Sequence, residues 1–335
     1  MAKAVALFSG GLDSTLAILT MLRQGVEVEA IIFRTQFGCV ADGALSSNGP
    51  FSAAEKFGFE VRPCNLSDKF IEIVKNPEFG YGRNMNPCID CRILMLKEAR
   101  VVMDTAGADF IITGEVLGQR PMSQRRDTFN LIDREAGVTD YVLRPLSAKL
   151  LKITFPEAKG IIKREMLYGF NGRSRKPQMA LAEEFGLTDY PSPAGGCLLT
   201  EPNYAHRLKD LLTYEPAPGF RDVDLLRIGR HFRFSPSCKI IVGRNKTENA
   251  AIQSMSMNGD WLLKVEGYGS PVTLVSGEIT DEALKAAASI CVRYSDAKDL
   301  SEAETIVING DNTFRLRVSP ASNEIIEALR ISKNG

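Results

Sequence analysis

An α/β domain with a parallel sheet, followed by a smaller α+β domain, is the fold class this sequence predicts, and three observations carry it. Short apolar runs alternate with helical patterns through the first half. A cluster of prolines and glycines interrupts that texture between Tyr190 and Pro218. Beyond the break, strand-like runs crowd around one amphipathic helical stretch. Strands that alternate with helices need crossover connections, so the strands of the first half are expected to run parallel.

Taken in order, AKAVALF is a short apolar strand that breaks at Ser9-Gly10-Gly11. A helical pattern runs from Leu16 to Leu22, and EVEAIIF is the second strand. A helix around Ser52 to Phe57, a strand at EVRPCNL, a helix from Cys91 to Ala106 and a strand over residues 109–114 follow. The prolines and glycines then surround one helix at YAHRLKDLL. The expected division is residues 1–190, a linker at 191–218 that carries Cys197, and 219–335. In the last part RHFRF, KIIVG, DWLLKVEG and SPVTLVSG read as strands and DEALKAAASICVRYSDAK as an amphipathic helix, with TIVI and TFRLRV expected to close the sheet.

At 335 residues the chain suits two domains, each of roughly 100 to 200 residues. Hydrophobic residues at 44% and charged residues at 24% exclude a disordered or fibrous design. No apolar run approaches the roughly 18 residues that cross a bilayer, and the start lacks a signal-peptide pattern, so a cytoplasmic protein without a membrane partner is expected. The 41 basic residues balance 41 acidic ones, so any nucleic-acid surface must be local. From Arg144 to Lys176, nine Lys or Arg stand against two acids, Glu157 and Glu165. That stretch makes Arg173, Arg175 and Lys176 candidate RNA contacts, against the plainer reading of a solvated face. Seven cysteines without a secretion signal argue against a disulfide framework. Cys64, Cys238 and Cys291 sit among apolar neighbours and read as small buried hydrophobes.

Ser9-Gly10-Gly11-Leu12-Asp13-Ser14 lies between a buried strand and a helix. Its backbone N–H groups and the helix N-terminus can surround an anion without a side chain intervening, which suits the phosphates of ATP. The hexapeptide resembles the signature of the PP-loop ATP pyrophosphatases. The resemblance implies an adenine nucleotide α-hydrolase-like fold, with Ser9, Gly10, Gly11 and Ser14 on phosphates and Asp13 positioning Mg²⁺. No Lys is present and G-x-x-x-x-G-K-[ST] is not matched, so a Walker-type hydrolase is not supported. Phe33 and Arg34, ending the second strand, are candidate neighbours of adenine.

Asn86-Pro87-Cys88-Ile89-Asp90-Cys91 opens a helix, where the N-terminal dipole favours thiolates. Cys197 follows far downstream in SPAGGC, where no helix or strand pattern demands a cysteine. A C-x-x-C pair also suits redox chemistry or half of a Zn site, with Cys39 after the second strand as a candidate further ligand. Three thiolates without an obvious fourth ligand fit a [4Fe-4S] cluster with one open iron.

The stretch GRNMNPCIDCRILMLKEA resembles the start of the catalytic-cysteine helix in bacterial 2-thiouridylases. The pair with one distant Cys resembles instead the cluster pattern of iron–sulfur-dependent tRNA thiolases. The first implies a persulfide and disulfide cycle between Cys91 and Cys197; the second, favoured because it gives Cys88 a task, implies a cluster on Cys88, Cys91 and Cys197. The run ending in Gly114-Glu115, followed by Gly118, Gln119, Arg120 and Pro121, resembles the second nucleotide-side loop of these enzymes. Gly114 and Gln119 are expected near AMP or Mg²⁺, and Arg120, Arg125 and Arg126 near phosphates of ATP or RNA.

The blocks FRF, KIIVGRNKTEN and GDWLLKVEGYGSPVTLVSG, then ALKAAASICVRYSDAK, resemble in wording and order the RNA-binding domain of the NFACT proteins. Arg244 and Asn245 are candidate RNA contacts there, with Trp261 and Tyr268 as candidate stacking surfaces. Together these resemblances imply an ATP-dependent tRNA sulfurtransferase that makes 2-thiouridine or 4-thiouridine. The expected partners are tRNA, a sulfur donor (sulfide or a cysteine desulfurase relay) and a second copy of the chain. Two rival readings are a deazaguanine-nitrile-type synthase of the same loop family with a Zn site, and a catalytically silent RNA-binding factor.

Overall fold

A computed structural model describes residues 1–38, 50–191 and 197–332. Cys39 and the five residues before Cys197 lie outside the described residues. The chain divides into two compact units, Met1–Thr200 and Glu201–Gly335. The division falls inside the proline-rich segment 191–218.

The first unit contains the strands β1 (Lys3–Leu7), β2 (Glu27–Arg34), β3 (Glu60–Asn65), β4 (Phe110–Thr113) and β5 (Val142–Leu143). They form one sheet in the order β3-β2-β1-β4-β5, and every pairing is parallel. Its helices are α1 (Leu12–Leu22), α2 (Pro50–Phe57), α3 (Ser67–Lys75), α4 (Cys88–Thr105), α5 (Arg126–Glu135), α6 (Phe155–Ala158) and α7 (Lys176–Glu184). Side chains of a strand alternate between faces, and the core follows that period of two. Ala4, Ala6, Phe110 and Ile112 join Ile18 and Met21 of α1 in one cluster. Val5, Leu7 and Ile111 join Leu96, Ala99 and Met103 of α4 and Ile132 of α5 in the other. The sheet is therefore covered on both sides, as parallel sheets require. Pro63, which has no N–H for a ladder, sits on the edge strand β3.

From β1 the chain runs first to β2 on one side and later to β4 on the other. The carboxyl ends of β1 and β4 are thus a topological switch point, the place where open α/β sheets bind ligands. Helix α1 begins at Leu12, four residues before its apolar pattern becomes legible, because Leu12 itself is buried. Helix α4 begins at Cys88 and so takes both cysteines into its first turn.

The second unit contains the helices α8 (Pro202–Tyr214), α9 (Phe220–Leu225), α10 (Lys246–Met255), α11 (Asp281–Arg293) and α12 (Asn323–Leu329). Its strands are β6 (Arg230–Ser235), β7 (Cys238–Val242), β8 (Trp261–Val265), β9 (Thr273–Gly277), β10 (Ala303–Asn309) and β11 (Asn312–Val318). They form an antiparallel sheet in the order β11-β10-β8-β9-β7-β6. The expected TIVI and TFRLRV strands are β10 and β11. They extend the sheet at one edge instead of joining its ends. One face packs Ile240, Val242, Leu263 and Val275 against Ala283, Ala287 and Ile290 of α11. The other packs Ile241 and Leu274 against Leu225 and Ile252.

Candidate nucleotide and thiol site

The loop after β1 closes on itself before helix α1 begins. The Ser9 and Ser14 hydroxyls lie 3.1 Å apart, and Ser14 Oγ donates to the Gly11 carbonyl at 2.9 Å. Gly10 has φ 71°, a left-handed conformation open to glycine. Gly11 is the N-cap of α1 and offers no side chain, so the first N–H groups of the helix stay available to an anion.

β4 leaves the sheet beside this loop. A Cβ on Gly114 would stand 2.5 Å from the Asp13 carbonyl carbon and from the Ser14 nitrogen. Only glycine allows that approach. Beyond it, Gln119 Nε2 donates to Asp13 Oδ2 at 3.0 Å. The opposite atoms, Asp13 Oδ1 and Gln119 Oε1, are both buried and have no hydrogen-bond partner. Two orphaned oxygens facing a phosphate-type loop form a donor set that suits a hard cation such as Mg²⁺.

The expected adenine contacts separate. Phe33 is 4% exposed and belongs to the core cluster of its sheet face, whereas Arg34 is exposed. Arg120, Arg125 and Arg126 are exposed on the stretch that leads into α5; Arg126 donates to the Leu150 carbonyl at 2.8 Å and Arg125 pairs with Asp127 at 3.4 Å. Arg173 and Lys176 are exposed, and Arg175 is the N-cap of α7.

The cysteines come to the same end of the sheet by backbone ties. The Met85 N–H donates to the Leu199 carbonyl at 3.2 Å, and Asn84 Nδ2 donates to the Thr200 carbonyl at 2.7 Å. These contacts set the segment before Cys88 beside the segment after Cys197. Cys197 Sγ donates to the carbonyl of Phe37, beyond β2, at 3.9 Å. Cys88, Cys91 and Cys197 are all half-buried, and Cys91 packs against the core cluster that contains Leu96 and Ile111. Among the described residues, however, no three His, Cys, Asp or Glu side chains form a group able to hold a metal ion. Cys91 thus borders the apolar core, and Cys197 lies against a backbone carbonyl. Asp90, between the paired cysteines, accepts from the Glu78 N–H at 2.8 Å and so pins the loop before the helix.

One buried network escapes sequence reasoning altogether. Arg144, 4% exposed, forms a fork to Asp133 with both bonds at 2.8 Å, reaches Glu115 at 3.1 Å, and lies 4.0 Å over the ring of Phe129. Burial opposes its charge, and Asp133 and Glu115 more than offset that, so the guanidinium sits above its ordinary pKa. Glu115 also pairs with Arg92 at 3.5 Å. Since Arg92 follows Cys91, the network ties the thiol helix to the Gly114–Gln119 loop. Arg144 therefore leaves the basic surface expected of residues 144–176, and so does Arg164, which pairs with Glu157 and donates to the carbonyls of Ala148 and Leu151.

In the tail, Asn245 caps α10 by accepting from the Glu248 N–H at 2.9 Å, and Arg244 grips Glu248 at 2.8 Å. Trp261 packs partly into the core, edge-on to Phe314 at 5.6 Å, while Tyr268 is 49% exposed.

Fold and site together define a class: a parallel-sheet domain of PP-loop type followed by an antiparallel-sheet domain similar to that of the NFACT proteins. Residues 1–152 match the family described as thiamine biosynthesis protein (ThiI), and residues 229–330 match the NFACT protein RNA binding domain. A tRNA-specific 2-thiouridylase MnmA of Pseudomonas fluorescens (strain SBW25) is 23% identical over 243 residues, covering 68% of this chain and 60% of that protein. The MnmA of Methylobacillus flagellatus is 24% identical over 302 residues, covering 83% of this chain and 79% of that protein. Among solved structures, a 4-thiouridine synthetase–RNA complex with bound ATP aligns at a TM-score of 0.35 and 23% identity, over 57% of this chain and 54% of that one. Several of the curated relatives are thus spanned over only about 60% of their length. Among the described residues no helix is long and apolar enough to cross a membrane.

Proposed function

We propose that this chain is an ATP-dependent tRNA sulfurtransferase that adenylates a uridine carbonyl oxygen and replaces it with sulfur. The observation that carries the reading is the pair of orphaned oxygens, Asp13 Oδ1 and Gln119 Oε1, at the phosphate-type loop, on a sheet end to which two separate cysteine segments are tied.

Ser9, Gly10, Gly11 and Ser14 hold the phosphates of ATP, with the N-terminus of α1 beneath them. Asp13 and Gln119 hold Mg²⁺, which screens the phosphate charge. The uridine oxygen attacks the α-phosphorus and pyrophosphate leaves. A sulfur nucleophile then attacks the activated carbon, and the oxygen departs with AMP. A [4Fe-4S] cluster on Cys88, Cys91 and Cys197 would supply that sulfur from an open iron. Among the described residues no three His, Cys, Asp or Glu side chains form a group for a metal, and no step is derived through the cluster. The segments of Cys91 and Cys197 are tied together instead, which supports a thiol route. A persulfide of a cysteine desulfurase relay passes its terminal sulfur to the Cys91 thiolate and leaves as a thiolate; that terminal sulfur on Cys91 attacks the carbon, and the Cys197 thiolate then displaces the thiouridine sulfur from Cys91. The resulting Cys91–Cys197 disulfide is reopened by a thiol reductant.

The test is tRNA-stimulated pyrophosphate release, followed by mass spectrometry of the tRNA nucleosides. Asp13→Ala is expected to lower release about 100-fold or more while tRNA binding persists. Full release in that variant overturns the reading, and release without a thionucleoside moves it to the deazaguanine-nitrile-type synthase.

A further inference from the structure

Four guanidiniums converge in the second unit, away from the nucleotide loop. Arg207 lies on α8, Arg230 begins β6, Arg244 precedes α10 and Arg330 follows α12. Direct contacts bring them together: Arg230 donates to the carbonyl of Gly243, next to Arg244, at 3.4 Å, Glu248 joins the Gly229 N–H to Arg244, and β6 bridges to Arg330 at Phe232. Arg207 is held below its ordinary pKa first by burial and then by Arg244, with Arg330 adding to it. Arg230 is lowered first by burial, with Arg330 and Arg244 adding to it. Like charges gather in this way where a ligand of opposite sign is to be held.

The acids nearby are already engaged. Glu248 accepts from the Gly229 N–H at 3.2 Å, the Arg244 N–H at 2.9 Å and the Arg244 guanidinium at 2.8 Å. Glu201 caps α8 by accepting from the N–H groups of Asn203 and Tyr204. Among the described residues, Arg207, Arg230 and Arg330 form no ion pair. Arg207 donates to the Leu226 carbonyl at 2.9 Å, and its Nε is buried without a partner. Arg230 lies 4.4 Å over the Tyr294 ring and donates from Nη1 to the Gly243 carbonyl at 3.4 Å, which fixes the guanidinium and leaves its other N–H groups for an oxyanion. Four cations against two engaged carboxylates leave a local surplus of positive charge in a chain whose net charge is zero.

We propose that Arg207, Arg230, Arg244 and Arg330 form a phosphate-binding site for the RNA backbone, through which the second unit grips its RNA. The match of residues 229–330 to an RNA-binding domain points to RNA as the source of the phosphate. Guanidinium forks match phosphate oxygens and carry no base information, so this grip positions the RNA without selecting its sequence. The proposal rests on the reading of the substrate as RNA and is independent of the chemistry at Asp13.

The experiment is fluorescence anisotropy of labelled tRNA with the full chain, without ATP, over a series of KCl concentrations. Arg230→Gln and Arg330→Gln are each expected to weaken binding about 5- to 10-fold near 0.1 M salt and to lower the salt slope by about one. Arg317→Gln, which changes net charge equally on β11 at the far edge of the sheet, where Arg317 pairs with Glu302 at 3.1 Å, is expected to bind within about twofold of the parent. Unchanged slopes in both site variants, or an equal loss in all three, overturn the site. The emission of Trp261, the only tryptophan, checks in each variant that the second unit is folded. Loss of binding with intact pyrophosphate chemistry, or the reverse, shows which of the two readings has failed.

Discussion

The first unit buries polar groups in two contrasting ways. Around Arg144, each buried charge meets an opposite charge: Asp133 takes two guanidinium bonds, Glu115 Oε2 takes a third, and Glu115 Oε1, which accepts no hydrogen bond, pairs with Arg92 at 3.5 Å. At the phosphate-type loop, Asp13 Oδ1 and Gln119 Oε1 are equally buried and meet nothing in the protein. An unpaired buried polar atom costs free energy comparable to a lost hydrogen bond, so a chain keeps one where a ligand completes it. The ion-paired network holds the fold, and the two unpaired oxygens fit the ligand proposed for the loop.

That comparison is sharpened most by removing the centre of the ion-paired network. Arg144→Met leaves Asp133 unopposed and Glu115 with Arg92 alone, and is expected to cost about 3–5 kcal/mol in urea unfolding. A loss below about 1 kcal/mol would show that the network is not structural.

The second unit supplies a smaller, pH-dependent case. His231 is 1% exposed, and burial is the first cause that holds its pKa well below the ordinary 6.5, with Lys239 and Arg207 adding to it. Folded His231 is therefore neutral while the unfolded side chain takes up a proton below pH 6.5. Stability is constant above that pH and falls as pH drops through it. Urea unfolding followed by Trp261 emission is expected to show a loss of about 1 kcal/mol between pH 6.5 and 5.5. A slope that persists in His231→Gln assigns it elsewhere.

The smallest effect is the most diagnostic. In the absence of nucleotide, Asp13→Ala is expected to change stability by no more than about 0.5 kcal/mol, or to raise it, because the lost carboxylate had an unsatisfied oxygen. A loss above about 2 kcal/mol would place Asp13 with Arg144 as a structural group and break the contrast.

Much of this was legible in the residues. The alternation of apolar strands and helices announced a parallel sheet, and the SGGLDS turn announced its anion loop, since both depend on local pattern and backbone freedom. Helix α3, with Phe70 and Val74 buried among polar neighbours, and the two-residue strand β5 escaped that reading. The first has a sparse apolar stripe and the second no length over which a period can be counted. The basic stretch 144–176 misled in part, because formal charge does not tell whether a guanidinium faces water or, like Arg144, a buried Asp.

By itself, the sequence determined the order of elements, the loop and the presence of four cysteines beyond those that read as core, since each is a property of neighbours along the chain. Only the tertiary structure decided which polar atoms are left unpaired, that Gly114 must lie flat on Asp13 and Ser14, and that the cysteine segments share one end of the sheet. Those are distances between residues up to a hundred or more positions apart, set by strand order and packing, and no local pattern encodes them.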